Sequence, residues 1–328
     1  MPSDAGRTPG FRADALMRPV AAERCARAAF ATPRRATSYR MAEFLFGPFL
    51  EFGFMRRALV GCLALALAAP PLGVFLMLRR TSLTAEVLAH GVTPGIAAGF
   101  LIAGLSVPAM SLGGLVAGLV VALGAGALSR ATGGREDAAL TALYLIALAL
   151  GVAMVSLRGD AADLTHLLFG QVLGVDDPAL FLMAGVATLT LPALALAWRP
   201  LALECFDPAF ARAEGAQGGL WHMLLLVLVV LNVLAAFQAM GTLMAVGLMM
   251  LPAVASRHWS RELSGLAYAA VGMAVLAAYG GLLASYHLDV PSGPAIVLAA
   301  GLLWAVSVLA GPVDGLLPRL VRRPHLAG

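Results

Sequence analysis

Charge in this chain is confined to the edges of long uncharged stretches, and those stretches recur from one end to the other. Residues 58–78, 91–129, 138–157, 178–198, 215–256, 263–288 and 290–313 contain no Asp, Glu, Lys or Arg. About 20 apolar residues cross a bilayer core as a helix. Most of these runs therefore hold one span, and the two longest hold two each. Inside hydrocarbon every backbone N–H and C=O needs an internal partner, which leaves helices as the spanning element here. The fold class is all-α, a polytopic bundle of eight or nine transmembrane helices. Most soluble enzymes are excluded at once.

Composition narrows the function further. The chain is 60% hydrophobic and 12% charged over 328 residues, so no soluble domain of ordinary size fits beside the spans. All 22 basic residues are Arg. A P-loop needs a Lys on the nucleotide phosphates, so this polypeptide is not a P-loop ATPase, and any ATP it uses is hydrolysed by a partner. Cys25, Cys62 and Cys205 are scattered without the spacing of a zinc site or a disulfide framework. Residues 1–40 carry eight Arg against Asp4, Asp14 and Glu23, whereas the remainder is nearly neutral. Lacking an apolar stretch, this tail does not read as a secretory signal. It is expected to be a disordered extension or the product of a start placed too early, with Met41 as the initiator.

The expected spans are 58–78, 84–105, 109–129, 138–157, 178–198, 218–236, 239–256, 263–284 and 293–313. The positive-inside rule orients them. With Arg79 and Arg80 inside, Arg130, Arg135, Arg199, Arg212, Arg257, Arg261, Arg319, Arg322 and Arg323 also fall inside. Arg158, Asp160, Asp163, Asp176, Asp177 and Asp289 fall outside. Nine spans leave Arg56, Arg57 and the tail arginines on the outer side. An eight-span alternative, with one segment near 218–256 only re-entering, puts the C-terminal arginines outside instead. The transmembrane domain is expected over 57–316, preceded by an aromatic interfacial lead-in over 41–56 and followed by a cytoplasmic tail over 317–328.

Among the polar residues, Glu86 and His90 are the most informative. At i and i+4 they share a helical face, and a carboxylate with an imidazole can offer O and N ligands to Zn²⁺ or Mn²⁺. The alternative is a first-turn Glu favoured by the helix dipole with His90 as a packed neighbour. Gly91, Pro94 and Gly95 follow directly, which predicts a broken or kinked helix beside the pair. Asp163 with His166, and His287 with Asp289, are further O/N pairs, read in preference as solvated loops. Met240, Met244, Met249 and Met250 are read as gap-filling core rather than a soft-metal path. On the inner side, the loop 199–215 contains a short capped helix: Asp207 as N-cap, Pro208 at the first position and Gly215 as the stop. Phe206 and Phe210 lie on one face of it, with Arg212 and Glu214 beyond. It is either a docking knob for a cytoplasmic partner or an inter-helix linker.

Taken in order, these segments resemble the metal-ion (zinc/manganese/iron) permease family of bacterial ABC importers. The family opens with a pattern like FMxRALxxGxxLAxxxGxxGVFxxLRRxSLxxDALSHAxLPG. This chain reads FMRRALVGCLALALAAPPLGVFLMLRRTSLTAEVLAHGVTPG over 54–95. Further matches are REDAAL (135–140), HLLFGQVLGV (166–175), FDPAFARAEG (206–215), MGTLMAVGLMMLPAVASR (240–257) and LDVPSGPAIVL (288–298). The resemblance implies a homodimer of permeases in the bacterial inner membrane, two ATPase subunits on the cytoplasmic side and an external metal-binding protein. It implies no permanent cofactor, zinc first and manganese second as cargo, and ATP through the partner. The family's Asp and His of DALSHA fall on Glu86 and His90, the Glu lengthening the arm by one methylene. The segment 206–215 falls on the expected ATPase-coupling helix. An ion- or proton-coupled secondary transporter is the alternative reading, and a scaffold without transport is a third.

Overall fold

The computed structural model describes residues 43–104, 106–133, 135–156, 175–206 and 218–317. The chain divides into two contact units after Glu51. In the first, residues 43–51 form helix α1, which leaves Phe44, Phe46 and Leu50 exposed. The second unit holds α2 (Gly53–Leu78), α3 (Thr84–Gly91), α4 (Thr93–Ala103), α5 (Val107–Thr132) and α6 (Glu136–Ser156). They are followed by α7 (Asp177–Phe206), α8 (Gly218–Met240), α9 (Thr242–Ser256), α10 (Leu263–Leu288) and α11 (Ser292–Ala310).

Eight stretches are long and apolar enough to cross a bilayer, with α3 and α4 together counting as one. The ninth expected span corresponds to α9, whose 15 residues extend only about 22 Å, short of a hydrocarbon core of about 30 Å. Two helix breaks follow local chemistry. Pro94 lacks the N–H that the His90 carbonyl would accept, and the expected single span 84–105 is interrupted at Val92. Gly241 separates α8 from α9 at φ 85° and ψ 167°, a conformation that costs little only without a Cβ.

Contacts at the helix ends fix the directions. Arg57 of α2 pairs with Asp177 of α7 at one end, and Arg79 pairs with Glu204 at the other, so α2 and α7 run parallel. Phe52 meets Tyr286, 5.8 Å between ring centroids, while Leu78 and Leu263 pack on one cluster with Val74 and Ala253; α10 therefore runs antiparallel to α2. The Val313 N–H donates to the His258 carbonyl at 3.1 Å, which returns the end of α11 to the face that holds Arg79, Arg257 and Arg261. This is the single arginine-rich face expected from nine alternating helices. Eight stretches are long enough to cross, the count of the eight-span alternative, while α9, though short, still returns the chain to this face. Arg57, on the opposite face, has Asp177 as a carboxylate partner.

The core centres on α2, with 72% of its most apolar window buried against 22% for α6. Leu65, Leu72, Phe75 and Leu76 are enclosed, and the Phe75 ring meets Trp198 edge-on at 5.2 Å. Without a hydrophobic drive between helices in lipid, close approach depends on small residues. A Cβ at Gly73 would collide with the Met249 carbonyl, and one at Gly95 with the Gly113 carbonyl. Met240, Met244, Met249 and Met250 are all buried, as packing predicts.

Candidate functional site

Glu86 and His90 lie on the single short helix α3, Glu86 exposed and His90 half-buried. Tyr144 of α6 stacks on the imidazole at 6.3 Å and 29°. His90 Nδ1 and Thr93 Oγ1 are both buried without a hydrogen-bond partner, and Gly151 of α6 lies against Thr93 and Pro94. The helix ends at Gly91, one residue past the imidazole, and resumes at Thr93 with Pro94 in its first turn. This region thus holds an exposed carboxylate, an unsatisfied ring nitrogen and an unsatisfied hydroxyl next to an interruption. Tyr144 and Thr93 were not marked by sequence; neither is charged, and only the packing of α6 on α3 brings Tyr144 near.

Among the described residues no three His, Cys, Asp or Glu side chains gather as a complete metal site. Glu86 and His90 supply at most two ligands, which suits transient passage better than storage. A groove of about 770 Å³ opens beside Pro94 and Gly95 between α4, α5 and α6, walled by residues such as Ile102, Val116, Leu143 and Ile146. Its walls carry no charged, imidazole or hydroxyl group, so a desolvated cation would find no ligand there.

A second polar cluster sits at the arginine-rich helix ends. Arg79 Nη2 donates to Glu204 Oε1 at 3.3 Å, the two side chains 18% and 12% exposed. His222 Nε2 and Glu136 Oε1 lie 2.7 Å apart, and Arg130 comes close to Glu136 over Gly126. Each contact is single: Arg79 Nη1, Glu204 Oε2 and His222 Nδ1 are buried and left without a partner. Sequence reading missed both pairs. The one available signal was that His222 is the sole ionisable residue in the uncharged run 215–256.

The inner segment needs one correction. Residues 199–206, expected to belong to a loop, are helical: α7 continues through Pro192 and Pro200 to Phe206, 30 residues in all. Its last turns carry Arg199 and Glu204 and extend past the length a bilayer needs, which is why their charge resembled a loop. Phe206 closes α7 and is 66% exposed. Asp207, Pro208, Phe210, Arg212, Glu214 and Gly215 lie outside the described residues, as do Asp163 and His166. His287 lies in the last turn of α10 with its ring against Tyr286, and Asp289 caps the helix in a left-handed conformation; both are exposed.

Comparison with known proteins bears on this arrangement. The profile described as the ABC 3 transport family matches residues 51–311. A manganese transport system membrane protein, MntC of Halalkalibacterium halodurans, is 31% identical over 85% of this chain and 94% of its own length. The chelated iron transport system membrane protein YfeD of Yersinia pestis is 29% identical over 79% of this chain and 86% of its own. Among solved structures, PsaBC from Streptococcus pneumoniae in complex with Fab superposes with a TM-score of 0.74 at 28% identity, covering 84% of this chain and 97% of that one.

Proposed function

The chain belongs to the ABC 3 transport family, as the membrane-spanning permease of an ABC importer for divalent metal ions, and from that premise we propose that Glu86 and His90 form part of the metal path. Membership sets aside the coupled-ion carrier and the transport-free scaffold. It also means that this subunit holds no catalytic domain: hydrolysis belongs to an ATPase partner and delivery to a binding protein. The protein works in a bacterial membrane as a multi-pass subunit, and the inner membrane is the compartment in which such an ATPase has access to ATP.

The observation that carries the path assignment is the unpartnered Nδ1 of His90 on the face shared with exposed Glu86, next to a break in the helix. An ion moving between waters and protein needs ligands that are not already committed. One chain offers two, so a second copy of the permease placing its own pair across the pathway would double them to four. That count suits zinc, and with added water it suits manganese. Manganese is the first cargo on this reading, supported by the names of several relatives and by the oxygen donor of Glu86. Zinc, placed first with the family resemblance, is the second, because an imidazole and a carboxylate serve either ion. The segment 206–215 is the docking element for the ATPase, with exposed Phe206 at its root.

The test is ATP-dependent uptake of radioactive manganese by proteoliposomes holding the permease, its ATPase and its binding protein, with zinc and iron as competitors. Glu86→Gln and His90→Ala are each expected to lower uptake about tenfold or more at unchanged abundance. Wild-type uptake by both variants overturns the path assignment. Preferential competition by zinc would move zinc to first cargo. Phe210→Asp is expected to weaken co-purification of the ATPase and to abolish uptake, while the permease still inserts.

A further inference from the structure

A second groove, of about 660 Å³, opens on the side of the bundle where α7 and α10 flank α2. Its walls include Leu191 and Arg199 of α7 and Ser264 and Val271 of α10, and Pro71 of α2 lies in its floor. Because α7 and α10 run antiparallel, Arg199 and Ser264 share the end at the arginine-rich face, and Leu191 and Val271 share the other. Unlike the groove beside Pro94, this one is graded along its length. Trp198, Arg199, Ser264 and Tyr268 lie toward one end, and the lining beyond them is aliphatic. We propose that this groove binds an anionic phospholipid of the cytoplasmic leaflet, its phosphate on Arg199 and one acyl chain along the aliphatic floor.

Length selects the leaflet. From Asp177 to Arg199 the axis of α7 advances about 33 Å, just over a hydrocarbon core of about 30 Å, so the guanidinium stands at headgroup level. From Arg199 back to Leu191 the rise is about 12 Å, less than half of that core. The groove therefore fits one leaflet, and its polar end fixes which. Charge supplies the second argument. Arg199 is exposed and has no carboxylate in ion-pairing distance among the described residues, whereas Arg57, Arg79 and Arg135 each have one. Arg257 and Arg261 are exposed on the same face. Glu262, the N-cap of α10, is the nearest acid in sequence and does not line the groove. A guanidinium takes a phosphate through two parallel N–H bonds. Trp198 and Tyr268 are the ring types that settle at a membrane interface, and Phe75 braces the Trp198 indole from within. An unfilled space between helices forfeits dispersion contacts, which an acyl chain restores. A small aqueous anion would satisfy Arg199 and leave the aliphatic length empty.

This inference is independent of the metal path and of ATPase docking. Its test uses the permease–ATPase complex in detergent, with native mass spectrometry to detect retained lipid. The unfolding midpoint is titrated in parallel with phosphatidylglycerol and with phosphatidylcholine. The wild type is expected to retain phosphatidylglycerol and to be stabilised by it at lower concentration than by phosphatidylcholine. Arg199→Gln is expected to weaken the phosphatidylglycerol response about fivefold and to leave the phosphatidylcholine response unchanged. Ala195→Trp fills the groove from α7 without altering charge, and is expected to abolish retention. Both positions are exposed, so neither variant disturbs the packed interior. Arg257→Gln, exposed on the same face but outside the groove, is expected to behave as wild type. An equal response of the wild type to the two lipids overturns the proposal. So does unchanged phosphatidylglycerol binding in both groove variants. An equal loss in Arg257→Gln and Arg199→Gln also overturns it, because a diffuse positive surface would then attract the lipid without this groove.

Discussion

The arginine-rich helix ends and the break at Val92 hold buried polar groups in opposite ways. At the helix ends, Arg79 is matched by Glu204 and His222 by Glu136. At the break, His90 Nδ1 and Thr93 Oγ1 are enclosed with nothing to bond, and Glu86 stands exposed. Both regions are costly, since desolvating a charge or a polar atom takes several kcal/mol unless a partner is found. The first region answers that cost in part, since each side chain there has one partner although Arg79 Nη1, Glu204 Oε2 and His222 Nδ1 have none. The second leaves the cost standing, which a passing ligand can relieve. The two regions thus differ in whether each side chain has any polar partner among the described residues, which Arg79, Glu204 and His222 have, whereas His90 has only the Tyr144 ring.

Mutations can break this contrast in order of size. The largest effect is expected from Arg79→Met, which leaves the Glu204 carboxylate buried and unpaired: about 3–5 kcal/mol lost, read as an early unfolding midpoint in detergent. Adding Glu204→Leu should recover most of that stability. A midpoint unchanged by the single substitution would show that the pair is solvated after all. Asn232→Leu comes next. It removes the 2.8 Å bond to Thr190 between α8 and α7, worth about 1 kcal/mol within a membrane bundle. His90→Ala should cost less stability, at most about 1 kcal/mol, although uptake falls sharply. A stability loss as large as that of Arg79→Met would return His90 to the scaffold. The smallest effect belongs to Arg57→Ala: its contact with Asp177 is 3.4 Å but solvent-exposed on both sides, so about 0.5 kcal/mol or less is expected.

Much of this architecture was legible because hydrocarbon enforces it. Uncharged runs marked α2, α5, α6, α10 and α11, and the arginines marked one face. Pro94 announced the interruption near His90 through a missing donor. What escaped notice depended on distance or on tolerance. Arg79 and Glu204 lie far apart in sequence, and nothing local in either segment requires the other. Arg199 and Glu204 read as loop because charge commonly ends a span, whereas α7 continues helical through both to Phe206. The run 215–256 gives no sign that α9 is short, because a helix turning within the bilayer needs no charge, only Gly241. Glu86 and His90 were found by helical spacing alone, while Tyr144, an uncharged ring on another helix, carried no comparable mark.

The contact of Gly95 with Gly113 has a mechanical meaning. Where side chains separate two helices, rotamers can readjust and the helices can slide. Here backbone faces backbone, so no cushion exists, and α4 with α5 moves as one lever. Any bending is then expected at the turn around Val92, where Pro94 removes one helical hydrogen bond. The same seam closes positions 95 and 113 to ordinary variation. Every side chain larger than hydrogen meets a carbonyl there, so a saturation library selected for uptake should return glycine at both positions.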